Sequence, residues 1–169
     1  VCSSDLERRP LMGADIECIV PDWPSPSRVR SLVTTRQAKG GRSEEPYACF
    51  NLGTHVGDEP ERVRGNRDRL RAMLPKEPRW MDQVHGVSVF DADVAQQGVV
   101  PQADAAVTRS PGTVLAIMTA DCLPVLLCDR AGSVVAVAHA GWRGLAAGVI
   151  ENALASMKVP AAEVMAWLG

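Results

Sequence analysis

Two runs of this sequence decide the fold: TADCLPVLLC at residues 119–128 and VVAVAHAGWRG at residues 134–144. Each contains an apolar stretch of strand length bounded by turn residues, which is typical of a buried β-strand. Cys122 precedes the first stretch and His139 lies near the end of the second. Because α/β proteins tend to place their chemistry where strands end, these two residues are the first candidates for a functional site.

The bulk composition is that of one ordinary globular domain. The chain has 169 residues, 46% hydrophobic content and a formal net charge of −2, and this length is sufficient to bury one core. The weak negative charge gives no case for a nucleic-acid or membrane partner, and no apolar run approaches the length of a membrane span. Without an apolar signal segment at the N-terminus, we expect a cytoplasmic protein. Five cysteines without a close CxxC pair indicate free thiols.

Hydrophobic periodicity and turn residues divide the chain into predicted elements. Residues 1–18 show no pattern and form an unassigned tail, so the predicted domain covers 19–169. Residues 37–47, with glycines among charges, are predicted to be a mobile surface loop. Helices are predicted at 58–75, with a stripe of Val63, Leu70, Met73 and Leu74, and at 145–157, with Leu145, Val149, Ala153 and Met157. Strands are predicted at 29–35, 80–84, 87–90, 114–119, 125–128, 134–140 and 164–168. The last strand meets the end of the sequence, so we expect the C-terminal part of the domain to be missing.

The chemistry of the chain centres on a His/Cys/His set formed by His85, Cys122 and His139. Thiolate sulfur and imidazole nitrogen are zinc ligands, and three protein ligands with one open position are typical of a catalytic zinc. Such a metal lowers the pKa of bound water to about 7. Two alternatives stay open: a metal-free pair in which Cys122 attacks and His139 is the base, or a buried structural cysteine with ordinary histidines.

Four further residues are candidates for binding an anion or substrate. Arg143 follows Gly141 and Trp142 and precedes a predicted helix, where an arginine and a helix N-terminus favour phosphate. Alternatively, it lies over Trp142. Arg36 precedes a glycine-rich loop and is a second anion candidate. Asn51 and His55 lie in a turn-rich segment, where Asn often has only a conformational role.

Several motifs together resemble the YfiH family, also called the laccase-domain or multicopper polyphenol oxidase-like family, whose bacterial members are often labelled peptidoglycan editing factor. They are NLGTHVGD at 51–58, QVHG at 83–86, TADCLPVLL at 119–127 and HAGWRG at 139–144. The resemblance runs from about Ile19 to Gly169. It implies an α/β fold with three α/β/α layers, related to toxin deamidases that use a Cys/His pair. It also implies that His85, Cys122 and His139 are metal ligands.

The resemblance implies a purine nucleoside phosphorylase. Such an enzyme cleaves adenosine, inosine, guanosine and methylthioadenosine with phosphate, and it also deaminates adenosine. The expected cofactor is Zn2+, with Cu2+ as the alternative, and the expected partners are purine nucleosides and phosphate. An oligomeric state is not predicted.

Three other functions are weighed against this one. A copper polyphenol oxidase needs more histidines than the three present. A peptidoglycan-precursor hydrolase would use the same Cys/His site. A non-enzymatic binding module would be favoured if the protein proved metal-free and inert.

Overall fold

The computed structural model describes residues 2–3, 16, 18–94 and 98–169. Most of the predicted tail, 1–18, therefore lies outside the described residues. The elements in chain order are strands β1 (Cys2–Ser3), β2 (Cys18–Ile19), β3 (Arg30–Ser31) and β4 (Val33–Thr34), helix α1 (Pro60–Ala72), strands β5 (Val89–Asp91), β6 (Ala105–Thr108), β7 (Leu123–Asp129) and β8 (Val135–Ala140), helices α2 (Trp142–Ala147) and α3 (Val149–Met157), and strand β9 (Val164–Leu168).

The largest sheet has five strands in the order β5-β6-β8-β7-β9. Strands β5 and β6 are parallel, and the other neighbours are antiparallel. The Asp129 to Ser133 turn joins β7 to β8, because the Asp129 carboxylate accepts hydrogen bonds from the Ser133 and Val134 backbone N–H groups. The strands predicted at 125–128, 134–140 and 164–168 are confirmed. The segment 87–90 is a strand only in part, as β5, and 29–35 contains the short strands β3 and β4.

Helix α3 covers one face of this sheet. Its Val149, Ala153 and Met157 are buried against alternate residues of β6, β7 and β8, as the period-2 pattern of strands requires. The predicted helix 145–157 is wrong in one respect, because it is interrupted at Gly148, whose φ of 99° ends α2. Leu145, predicted to be part of the buried stripe, lies before the interruption and is 44% exposed.

Extended segments, rather than strands, cover the opposite face. Met81 and Leu115 pack on the sheet, while their neighbours Trp80 and Val114 pack away from it, in a second cluster that contains Leu70 of α1. The strands predicted at 80–84 and 114–119 are therefore wrong: these segments form only isolated bridges, between Arg79 and Leu115 and between Asp82 and Gln102. Met81 is buried in the first segment and Val114, Leu115 and Ala116 in the second, but neither segment has a continuous ladder partner.

Helix α1 confirms the prediction at 58–75, with Pro60 in its first turn. Three of its four stripe residues are buried, namely Val63, Leu70 and Leu74. The neighbouring 37–47 loop is held by the buried Asn66, whose side chain accepts from the Arg42 N–H and donates to Ser43 Oγ. The fold is of the predicted α/β class. No helix among the described residues is both long and apolar enough to cross a bilayer.

Candidate metal centre

Antiparallel pairing of β7 with β8 brings Cys122 next to His139. Leu123 pairs with Ala140 and Pro124 pairs with His139, so the residue before β7 lies beside the end of β8. His139 is buried, whereas Cys122 is partly buried. Two residues 17 positions apart in the sequence are thus fixed as neighbours by strand register.

His85 comes from the loop between Gln83 and Gly86. Its backbone has a φ of 60°, in the left-handed region that residues with a Cβ rarely adopt. Gln83 holds this loop to a second segment, because its side-chain amide donates to the Met118 carbonyl at 2.8 Å and accepts from the Met118 N–H at 2.7 Å. The two hydrogen bonds place the His85 loop against the segment that leads to Cys122.

Asp104 holds the same loop from within the core. Its carboxylate accepts the backbone N–H groups of Val84, His85 and Gly86 at 3.2, 2.9 and 2.7 Å, and its Oδ1 lies 2.9 Å from Nδ1 of His139. Burial alone would raise the pKa of this carboxyl, but the hydrogen bonds from His139 and from the three N–H groups outweigh burial and lower the pKa. Asp104 is therefore a buried carboxylate anion.

The three predicted ligands converge on one point. Sγ of Cys122 lies 3.6 Å from Nε2 of His85, and the rings of His85 and His139 are 4.7 Å apart at 72°. One ligand atom from each residue lies within 4.8 Å of the other two. Two imidazole nitrogens and one sulfur form a donor set suited to zinc, so the residues fit the expected metal.

The surroundings of Cys122 disfavour a metal-free thiolate. Partial burial, and then the Asp121 and Asp104 carboxylates, raise the pKa of the Cys122 thiol. A metal-free Cys122 is thus a protonated thiol at neutral pH, and the thiol is the less nucleophilic form. A bound cation would reverse this effect, because a coordinating thiol is deprotonated.

A cleft of about 640 Å3 opens above these residues, and its lining also includes Arg36, Asn51 and His55. Arg36 donates to the Pro46 and Ala48 carbonyls, both at 3.1 Å, which uses two of the five N–H donors of its guanidinium. Asn51 bonds both backbone groups of Gly53, at 2.9 and 3.1 Å, as expected for a conformational role. The structure thus brings three of the four additional candidates together with the His/Cys/His set.

Arg143 is the predicted site residue that does not line this cleft. It is exposed on α2, with its guanidinium 5.3 Å from the ring centroid of Trp142. Trp142 is itself 75% exposed. Stacking over Trp142, the alternative considered from the sequence, describes the observed contact.

Sequence reasoning missed three residues that build the site: Gln83, Asp104 and Gly141. A Cβ at Gly141 would lie 2.8 Å from Cδ2 of His85 and 2.9 Å from Sγ of Cys122, so only glycine fits between them. Gly141, two residues after His139, was a usable signal in the sequence. Asp104 gave no signal in the sequence, because its hydrogen-bond partners are 18 to 35 residues away along the chain.

Comparison with known proteins agrees with the motifs. The family described as multi-copper polyphenol oxidoreductase laccase matches residues 30–169. The chain belongs to this family.

Curated relatives are named for a different activity. A purine nucleoside phosphorylase of Pseudomonas aeruginosa is 54% identical over 151 residues, which cover 89% of this chain and 60% of the relative. Purine nucleoside phosphorylase YfiH of Escherichia coli is 49% identical over 153 residues, with 89% and 62% covered. The resemblance to the YfiH family is confirmed, and the chain spans about 60% of the length of these relatives.

Solved structures share the fold. The crystal structure of a Neisseria meningitidis protein matches with a TM-score of 0.84 and 51% identity, over 90% of this chain and 62% of the other. YlmD from Geobacillus stearothermophilus matches with a TM-score of 0.72 and 26% identity, over 98% of this chain and 63% of the other.

Proposed function

We propose that the protein is a metal-dependent purine nucleoside phosphorylase that also deaminates adenosine. The observation that carries this proposal is the His85, Cys122 and His139 cluster at the cleft, in a chain 54% identical to a curated purine nucleoside phosphorylase. The cluster supports metal dependence, and the curated relatives support the substrate class. We propose that a single catalytic domain covers residues 19–169 and carries this activity.

The proposed metal ligands are Nε2 of His139, a ring nitrogen of His85 and Sγ of Cys122. Zn2+ suits this mixed nitrogen and sulfur set, and Cu2+ is the alternative. When bound, the metal would supply a Lewis acid beside the cleft. The protein residues around it fix the ligands and shape the cleft.

The remaining cleft residues bind the two substrates. We assign phosphate to Arg36, whose guanidinium is oriented by the Pro46 and Ala48 carbonyls and retains further N–H donors. A phosphate oxygen attacks C1′ of the ribose while the bond from C1′ to N9 breaks, and the departing purine takes up a proton. His55 is the cleft imidazole outside the metal set, so it is available to bind phosphate or to donate that proton.

Deamination of adenosine would use the same cleft without phosphate. A water oxygen replaces the amino group at C6, and ammonia leaves. The products separate the two reactions, because phosphorolysis gives free adenine and ribose 1-phosphate whereas deamination gives inosine.

The test pairs metal content with turnover, using the protein in its full natural length. Zinc is measured by mass spectrometry, and adenosine products are separated with and without phosphate. Cys122→Ala should lose both metal and turnover. Cys128→Ala is the matched control, because Cys128 is a buried thiol within β7 outside the cleft lining, and it should retain both.

Three outcomes would contradict the proposal. Turnover that survives in Cys122→Ala would exclude the cluster as the active site. Copper with oxidation of a phenol would favour the oxidase that the family description names. No nucleoside turnover, together with cleavage of a peptidoglycan precursor that carries the wrong amino acid, would favour the editing hydrolase.

A further inference from the structure

Asp104 is not one of the proposed metal ligands, but it forms hydrogen bonds with both histidine segments of the proposed metal centre. It is fully buried, and each carboxylate oxygen has two hydrogen-bond partners. Oδ1 accepts from the His85 N–H and lies 2.9 Å from Nδ1 of His139. Oδ2 accepts from the Val84 and Gly86 N–H groups.

This arrangement decides the tautomer of His139. Three of the four partners of the carboxylate are backbone N–H groups, and an ionised carboxylate carries no proton, so it can only accept hydrogen bonds. The fourth partner, Nδ1 of His139, must therefore also donate. A neutral imidazole that carries its proton on Nδ1 has its lone pair on Nε2, and this is the nitrogen available to a metal.

The same carboxylate also stabilises the backbone of His85. Its hydrogen bonds to three consecutive N–H groups hold a turn in which His85 has a φ of 60°, a conformation that costs free energy for a residue with a side chain. The backbone of Asp104 is fixed as well, because its carbonyl accepts the His139 N–H at 2.7 Å. One residue thus sets the ring tautomer of one ligand and the loop conformation of another.

We infer that Asp104 is a positioning residue that preorganises two of the three ligands of the metal centre. The inference rests on the proposed metal site and assigns no contact with substrate. Carboxylates that accept the second ring N–H of a ligating histidine typically change metal affinity by about 10- to 100-fold. Asp104 also holds the loop of a second ligand, so a loss of zinc affinity within that range is expected.

The first experiment measures zinc affinity by competition with a chromophoric chelator. Asp104→Asn keeps the size of the side chain but replaces an acceptor oxygen with an NH2 donor, which then faces two N–H groups. Asp129→Asn is the matched control, since Asp129 is also buried and also accepts backbone N–H groups, in the turn between β7 and β8. We expect zinc to bind about 10- to 100-fold more weakly to Asp104→Asn and with unchanged affinity to Asp129→Asn.

Cobalt substitution gives a second readout. In the wild-type protein, absorption from a cobalt–thiolate bond should appear at a 1:1 ratio, and in Asp104→Asn it should appear only at higher cobalt concentrations. A folded Asp104→Asn protein with wild-type zinc affinity and a wild-type cobalt titration would overturn the inference.

The tautomer of His139 can be measured without any variant or metal. Nitrogen-15 shifts of the imidazole in the metal-free wild-type protein distinguish a proton on Nδ1 from a proton on Nε2. We expect the Nδ1–H form, and an Nε2–H form would refute the role of Asp104 even if Asp104→Asn does not fold. If the wild-type protein binds no zinc, the proposed metal dependence fails, while the tautomer still decides the positioning role.

Discussion

Replacement of Gly141 by alanine should damage the metal centre without weakening the fold. The backbone of Gly141 has φ −64° and ψ 155°, a conformation open to any residue. The added methyl would lie 2.8 Å from Cδ2 of His85 and 2.9 Å from Sγ of Cys122, whereas ordinary contacts of a Cβ begin at 3.4 Å. Relief of these contacts requires shifts of about 0.5–0.6 Å, which are at or above the tolerance of about 0.5 Å for a preorganised site.

The expected loss in kcat/KM is about 10- to 100-fold, because displacements on the order of 1 Å cost about 100-fold. This corresponds to roughly 1.4–2.7 kcal/mol of transition-state stabilisation. Zinc affinity should fall in parallel. The free energy of unfolding should stay the same or rise by about 0.4–1 kcal/mol, since alanine restricts the unfolded chain more than glycine does.

Gly148→Ala is the control, and it should weaken the fold without damaging the metal centre. Gly148 has a φ of 99° between α2 and α3, where a side chain costs about 1–2 kcal/mol, and it does not line the cleft. Urea denaturation and zinc competition are measured on both variants. If Gly141→Ala binds zinc as tightly as the wild-type protein, the proposed packing of a glycine between the two ligands is refuted.

Three further predictions concern the fold and the cleft. Asp129→Asn should lower stability at neutral pH, because hydrogen bonds from Ser133 and Val134 outweigh burial and lower the pKa of the Asp129 carboxyl in the folded protein. A lowered folded-state pKa stabilises the protein above about pH 4, and this contribution is lost as the pH falls through the folded-state pKa. The acid denaturation curves of the two proteins should therefore converge at low pH. Leu126→Ala should cost about 2–5 kcal/mol in urea denaturation, because Leu126 is buried in the sheet core. Arg36→Ala should raise the KM for phosphate while Arg143→Ala leaves it unchanged, since only Arg36 lines the cleft; equal effects in steady-state kinetics would contradict the assignment of phosphate to Arg36.

The paired strands of the core could be predicted because each is a short run of apolar residues, which indicates a buried strand. Strands β7 and β8 are apolar on both faces, and their joining turn carries Asp129 and Gly132. The segments 80–84 and 114–119 gave the same signal without being strands. An apolar run reports burial, whereas a ladder also needs a partner with free backbone groups, and the backbone of Met118 is bonded to the Gln83 side chain instead.

The three candidate ligands could be proposed from residue chemistry, but the residue that holds two of them in position, Asp104, could not. Cysteine and histidine are rare in this chain, with five and three copies, so their positions at strand ends attract notice. An aspartate at the start of a strand does not attract notice, because surface turns use the same residue. The role of Asp104 depends on contacts with Gly86 and His139, and only the folded chain shows them.

Strand register explains where the candidate metal centre lies in the sheet. Strands β6, β8 and β7 are the three central strands, and Asp104 before β6, His139 in β8 and Cys122 before β7 meet at the same end of them. Asp104 fixes this register with its own carbonyl, which accepts the His139 N–H, and it orients the ring of the same histidine with its carboxylate. A shift of one residue between β6 and β8 would turn the His139 side chain to the other face of the sheet. The pairing that builds the core and the geometry of the proposed metal ligands are therefore set by the same hydrogen bonds, and a variant that disturbs one should disturb the other.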